Sequence, residues 1–467
     1  MVELKKISDF EWEIPISEGM NVPVSIFTSE ELLKKIREGD TIKQSINVAS
    51  LPGVLENVIV CPDAHQGYGF PIGGVAAFDI DKGVIAPGGV GYDINCSVRL
   101  LKTNLKSEDI KGKEKELAHS LFRSVPSGVG QKGRISLDNK ELDKVLIEGA
   151  RWAIEKGYGE KEDWLHIEEG GRMEGANPSA VSQKAKGRGM SQLGSLGAGN
   201  HFLDVLIVDE IFDKKIAKVF GLEIGQVVIL IHCGSRGLGH QVASDYIKLM
   251  GEKYGYPDFA KELVNAPIKS ELGQNYIGAM SCAANFAFAN KQIITYFIRE
   301  NMKYYFPNFK AKVVYDICHN IAKFEKVDGK EILVVRKGAT RSFGPGRIEI
   351  PKDYRNVGQP VLLPGSMGTA SYVLCGTKKA EEISWGSTAH GAGRIKSRGQ
   401  AREDISFIDA KRDMKKRGIL VEFGKQKGMI EESPFSYKDV DEVVRVSDEA
   451  GIGKKVAKLR PVIVVIG

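Results

Sequence analysis

The sequence has no paired cysteines. Its six (Cys61, Cys96, Cys233, Cys282, Cys318 and Cys375) are scattered without a repeated short spacing, which argues against a disulfide framework and against the Cys-pair motifs of structural zinc sites. Long apolar runs are also missing. None approaches the roughly 18 residues that span a bilayer, so no membrane segment is expected. Residues 1–10, Met-Val-Glu-Leu-Lys-Lys-Ile-Ser-Asp-Phe, are charged and have no apolar stretch, so no leader is expected and the cytoplasm is the expected location. A strong charge imbalance is absent too. Sixty-six basic against 60 acidic residues leave +6, too little to coat a polyanion, so any such binding must come from local clusters. There is neither an internal repeat nor a linker, and residues 1–467 are read as a single α+β domain with its site loops at strand ends around a central cleft. Histidine is scarce, at eight in the whole chain.

Glycine, by contrast, is abundant. Its 53 residues exceed the usual share of about 7%, and the excess falls in a few loops that also carry chemistry. Val58–Cys61 reads as a short buried strand running into Pro62-Asp63-Ala-His65-Gln-Gly67-Tyr-Gly69-Phe-Pro-Ile-Gly73-Gly74. There Asp63 and His65 are balanced between site residues and turn formers. The loop 86–99 holds Asp93 and Cys96, three apart, so one bend could aim a carboxylate and a thiol at one point. Those two cannot complete a metal site, and the other ligands must come from elsewhere.

Residues 184–189 read as a basic loop ahead of Leu193–Val205, in which Asn200 and His201 lead into an apolar strand carrying Asp204 as a further ligand or a support behind one. The buried strand Val227–Ile231 ends in His232-Cys-Gly-Ser-Arg236, and the strand 312–317 ends in Cys318-His319-Asn320. The strand 331–335 ends in a cluster of Arg336, Lys337, Arg341 and Arg347 among glycines, a candidate anion-binding loop. Scaffold helices are expected at 29–38 with Ser29 as N-cap, at 140–156, at 242–249 and, fully buried, at 276–301. His119 and His166 read as packing or surface residues, His240 as the opening of the helix at 242–249 and outside the site, and the lysine-rich stretch 411–427 as a solvated helical face. Near the C-terminal end, Ser387-Thr-Ala-His390-Gly-Ala-Gly393-Arg394-Ile-Lys-Ser-Arg398 places an imidazole beside flexible backbone and two guanidiniums suited to phosphate oxygens.

Taken in order, PDAHQGYGFPIGG (62–74), GVGYDINCSVR (89–99), LGSLGAGNHFLDV (193–205), HCGSRGLGHQV (232–242), HNIAK (319–323), RKGATR (336–341), HGAGR (390–394) and SYKDVDEVV (436–444) resemble the RtcB family of RNA ligases, its archaeal branch in particular, over nearly the whole length. The resemblance implies a GTP- and manganese-dependent ligase that joins an RNA 2′,3′-cyclic phosphate or 3′-phosphate end to a 5′-hydroxyl end. It implies two Mn2+ ions, one held by Asp93, Cys96 and His201 and the other by Cys96, His232 and His319. It makes His390 the residue that takes GMP covalently. Asn200, Arg188, Arg236, Lys337 and Arg398 match phosphate contacts, and His319, Asn320, Ser366 and Arg394 match further nucleotide or phosphate contacts. Tyr437 matches an aromatic that packs on guanine. Expected partners are RNA, as the halves of a spliced tRNA, and an archease-type activating protein.

The chain departs from the family pattern at Ile466, where lysine is usual, at Asp204 for glutamate, at Val335 for histidine, and at Cys61 and Cys233 for methionine and threonine. These departures define a second reading: a relative that keeps the metal site but acts as an RNA-end phosphoesterase or RNA-binding component.

Overall fold

The computed structural model describes residues 2–327 and 329–467. It has a mixed α+β architecture in which two large sheets meet along the edge that carries the site. One sheet runs Lys5–Lys6, Glu11–Ile14, Val24–Phe27, Val58–His65, Ile72–Asp79, Lys330–Lys337 and Asn320–Val327. Its strands pair antiparallel except Val24–Phe27 with Val58–His65. The other runs Ala311–Cys318, Ser97–Lys106, Gln226–Cys233, Phe202–Ile211, Lys454–Ile466, Ser371–Cys375 and Pro360–Leu363, with Leu420–Phe423 added parallel to Lys454–Ile466. The short pair Ala339–Arg341 and Ser387–Ala389 lies apart from both.

The helix Glu271–Tyr305 is buried on nearly every face between Tyr276 and Thr295, as its Ala- and Phe-rich sequence requires. Polar side chains stitch it to the second sheet. Arg99, fully buried, donates to Asp316 (2.8 Å), to Gln292 (2.8 Å) and to Thr295 (3.0 Å). A buried guanidinium is tolerated because each of these partners is present. The helix Glu30–Arg37 starts as expected, with the Ser29 hydroxyl accepting from the Leu32 amide.

Several expectations need correction. The helix over 140–156 is two helices, Asn139–Glu148 and Ala150–Glu155, because Gly149 takes φ 58° and ψ −132°. Residues 184–189 are not a loop. Ser182 caps a helix over Gln183–Gly189, its hydroxyl accepting from Ala185. The helix expected at 242–249 begins at Arg236 and runs to Tyr254, so His240 lies within it. The strand starting at Val58 continues to His65 through a register irregularity between Val60 and His65, and that carries Asp63 inward. Asn320–Val327 is a further strand, hairpinned onto Lys330–Lys337. The lysine-rich stretch divides into the helix Phe407–Lys416, the strand Leu420–Phe423 and the helix Gln426–Glu431.

The basic cluster after 335 is not an anion-binding loop. Arg336 is buried against Glu325 (2.5 Å), Arg341 against Glu168 (3.1 Å) and Glu169 (3.0 Å), and Arg347 pairs with Glu349 and Glu381. Desolvating a guanidinium demands a partner, and internal carboxylates claim these three. Only Lys337 of the four reaches the cleft.

Candidate functional site

Sheet register explains how ligand-type residues so far apart in sequence converge. Ser97 pairs with both Cys233 and Cys318, and Phe202 pairs with His232. Residues 96, 201, 232 and 319 therefore end four strands at one edge of one sheet. Cys96 Sγ lies 3.3 Å from His201 Nε2 and 3.2 Å from His232 Nε2. His201 Nε2 is 2.7 Å from Asp93 Oδ2, and His232 Nε2 is 3.3 Å from His319 Nε2. Two sets result: Asp93, Cys96, His201 and Cys96, His232, His319. In each set the ligating atoms lie within 4.8 Å of one another, and Cys96 belongs to both.

Two glycines make this approach feasible. A Cβ at Gly197 would stand 1.9 Å from His201 Nδ1, and one at Gly234 would stand 2.3 Å from an Asp93 carboxylate oxygen. These positions tolerate no side chain.

The donor set fits a metal ion. His232 and His319 are pushed well below the ordinary imidazole range, by burial first and then by neighbouring histidines, so both are neutral and offer lone pairs. Two neutral imidazoles, a carboxylate and a sulfur converge on one space, where their lone pairs would serve a shared cation. Burial, then the Asp93 charge, pushes the Cys96 thiol well up, an effect that a bound cation reverses. One soft sulfur among imidazoles and a carboxylate suits a borderline transition metal.

His390 stands beside these sets without belonging to either. It follows the strand Ser387–Ala389, and its ring centroid is 4.8 Å from that of His319. Its Nδ1 is 2.5 Å from Asp63 Oδ2, and the same oxygen accepts from the His390 and Gly391 amides at 3.0 and 3.2 Å. Burial alone would raise Asp63, but the His390 charge and hydrogen bonds outweigh it and hold the carboxyl below its usual range. With Asp63 on the Nδ1 side, Nε2 is the ring nitrogen turned away from the carboxylate.

Both groups open on one cleft of about 870 Å³, also lined by His65, Asn200, Asn320, Lys337, Ser366, Arg394, Arg398 and Tyr437. The Asn320 amide donates to the Asp93 carbonyl (3.2 Å) and its Oδ1 accepts from Gly338 (2.8 Å), tying the two sheets together at the site. Lys337 is pushed down to about 7 by burial and donates to the Tyr68 and Gly88 carbonyls (2.7 and 2.9 Å). His65, its Nδ1 3.1 Å from the Asp63 carbonyl, is held near 3 by burial and is neutral.

Not every expected residue reaches the cleft. Arg188 and Arg236 lie outside its wall, with Arg188 on Gln241 (2.9 Å) and Arg236 on Ser195 (3.3 Å) and the Gly128 carbonyl (3.1 Å). Arg394 is in the wall but engaged by Glu432, the Glu431 carbonyl and the Tyr437 hydroxyl. Arg398, 49% exposed, has only long contacts of 3.7 and 3.8 Å to Glu432 and Glu431, and is the freer cation. Asp204 is buried, burial pushes its carboxyl well up, and among the described residues it bonds no site imidazole. Ile466, 1% exposed, lines the cleft beside Phe202 and Val464, giving this end an apolar floor.

Sequence reasoning passed over Lys438, whose buried ammonium donates to the Pro62 and Ala64 carbonyls (3.1 and 2.5 Å) on either side of Asp63. It also passed over Glu432. Lys438 lies inside the motif 436–444 but meets carbonyls far away in sequence, and Glu432 holds distant Arg394 as well as nearby Tyr437.

A sulfur shared by two ligand sets, with a carboxylate-held histidine opposite and cations around the cleft, describes a site suited to phosphate chemistry. A family model described as tRNA-splicing ligase RtcB matches residues 44–467. The chain is 53% identical to the tRNA-splicing ligase RtcB of Thermococcus kodakarensis, over 99% of this chain and 98% of that protein. It is 50% identical to the enzyme of the same name from Archaeoglobus fulgidus, over 98% of each. It is 46% identical to RNA-splicing ligase RtcB homolog 1 of Entamoeba dispar, over 96% of this chain and 88% of that one. The chain belongs to the RtcB family.

Proposed function

We propose that this chain is a GTP-dependent RNA ligase that joins an RNA 3′-phosphate, or a 2′,3′-cyclic phosphate once opened to it, to a 5′-hydroxyl end, as in the rejoining of tRNA halves. The observation that carries this reading is His390, held through Nδ1 by buried Asp63 (2.5 Å) and set beside two three-residue ligand sets without belonging to either. A histidine not needed as a ligand is available as a nucleophile.

Asp63 keeps the His390 proton on Nδ1, so the Nε2 lone pair attacks the α-phosphorus of GTP. An N–P bond forms, the bond to pyrophosphate breaks, and pyrophosphate leaves. An oxygen of the RNA 3′-phosphate then takes the guanylate, breaking the N–P bond and restoring His390. The 5′-hydroxyl oxygen next attacks the 3′-phosphorus, the proton passes to solvent, and GMP departs. A bare phosphate has no such leaving group. Asn200, Lys337, Arg398, Ser366 and Tyr437 line the cleft; in this reading the first four hold phosphate and nucleotide oxygens and Tyr437 packs against the base. Manganese held by Asp93, Cys96, His201, His232 and His319 would neutralise charge gathering on the phosphates.

The test is joining itself. Two labelled oligonucleotides, one ending in a 3′-phosphate and one starting with a 5′-hydroxyl, incubated with GTP and Mn2+, should give one longer product. Opening of a cyclic phosphate without joining would replace this reading with that of an RNA-end phosphoesterase.

A further inference from the structure

Beside the metal ligands stands a row of aromatic rings that neither ligand set uses. Tyr92 immediately precedes Asp93. Its ring stacks on His240 with centroids 4.8 Å apart and planes at 27°, and meets Tyr68 at 5.5 Å and 56°. The three rings come from three separate elements: the loop after Val58–His65, the turn before Ser97–Lys106, and the helix Arg236–Tyr254. Core aromatics stack to exclude water, but these remain open: Tyr68 is 41% exposed, His240 is exposed and Tyr92 is half-buried. Tyr256, 47% exposed, adds a further open ring just beyond the C-terminal end of that helix. The row thus leads outward from the ligand sets over the surface.

Its backbone is fixed where it enters the cleft, because the Tyr68 carbonyl accepts from Lys337 and from the Phe70 amide (2.7 and 2.8 Å). Cations flank it. Arg188, outside the cleft wall, bonds Gln241, the residue that follows His240 (2.9 Å), and Lys35, paired with Glu38, lines the cleft as Tyr68 and Tyr92 do.

We propose that Tyr68, Tyr92 and His240 form a seat on which the unpaired terminal nucleotides of the RNA stack, with Arg188 beside it for the backbone phosphates. Exposed π-faces flanked by cations, continuous with a cleft that handles phosphate, match single-stranded nucleic acid better than a protein partner. Every base has a face to stack, while the backbone needs only positive charge. A duplex presents only the outer face of its last base pair, so it engages the seat less than a single strand whose bases can be splayed apart. The seat rests on the ligase reading for its purpose but not for its detection.

The test uses short RNA carrying 2-aminopurine in its last three nucleotides, in two arms: a 3′-phosphate strand and a 5′-hydroxyl strand. Binding should quench the fluorophore in the arm whose strand occupies the seat. Tyr68→Ala and His240→Ala should each weaken that binding roughly 5- to 100-fold, and Tyr68→Phe, which keeps the ring, should bind like the parent. A blunt duplex end should lose less in the alanine variants than the single strand does. Both variants should still take GMP from GTP at the parent rate, because neither residue touches His390. The proposal is overturned if neither arm is quenched, if both alanine variants bind as the parent does, or if Tyr68→Phe loses as much as Tyr68→Ala. Thermal unfolding midpoints equal to the parent's show that the loss is not misfolding. Should the parent take no GMP and join no RNA, the ligase reading falls, while quenching still decides the seat.

Discussion

Asp63 decides what His390 can do. A histidine facing a cleft can protonate, coordinate or attack, and the choice follows from which ring nitrogen is occupied. Asp63 Oδ2 faces Nδ1 at 2.5 Å and also accepts the amides of His390 and Gly391, so it favours the proton on Nδ1 and fixes the course of the backbone that carries the ring. Asp63→Asn preserves size but removes the charge and offers an amide that can donate to Nδ1. It should slow transfer of GMP to the protein by about 10²-fold or more, with GTP binding changed only a few-fold. Single-turnover labelling over a GTP concentration series separates the two effects. A loss confined to binding would mean that Asp63 shapes the pocket rather than the nucleophile.

At this scale the sequence was partly legible. His201, His232 and His319 stand out because they end apolar strands, a pattern that points inward whatever the tertiary arrangement. The fates of Arg336, Arg341 and Arg394 were hidden, because Glu325, Glu168 and Glu432 meet them only in three dimensions.

Among the elements, strand ends place the site and glycines permit it. The strands at 202, 226 and 311 read correctly from their apolar runs, whereas the strand Ser97–Lys106 begins inside the stretch read as the loop 86–99; their common edge follows from antiparallel register. Helix boundaries were harder to read. The periodicity through 140–156 continues across Gly149 without a gap, yet the chain breaks there, because the φ of 58° with ψ of −132° turns it under Gly171. A Cβ at 149 would stand 2.3 Å from the Gly171 carbonyl oxygen and 3.1 Å from Asn285 Oδ1. Gly149→Ala should therefore destabilise the fold by roughly 1–3 kcal/mol, read from urea unfolding midpoints. A neutral or stabilising result would mean that the break is a consequence of packing that can relax into one straight helix.

Across the whole molecule the site belongs to no single element. One sheet supplies Cys96, His201, His232 and His319, the other supplies Asp63 and Lys337, and His390 arrives on the small strand pair between them. Asn320 bonds across the junction. Resemblance to a family reaches this arrangement sooner than periodicity does, since motif order carries the family's register while single-chain pattern carries only local structure. The departures have a physical outcome as well. Ile466 packs into the cleft floor where the family resemblance implies an ammonium, and burial pushes the Asp204 carboxyl well up, so position 466 adds no charge of its own to the cleft.

The central claim is that His390 is the nucleophile, and covalent labelling tests it most directly. The protein incubated with Mn2+ and GTP labelled at the α-phosphate should retain label through denaturation and lose it in mild acid, as a phosphoramidate does. Chelation of the metal beforehand, or His390→Ala, should abolish the label. A labelled band that persists in His390→Ala, or its absence from a parent protein loaded with Mn2+, would contradict the account.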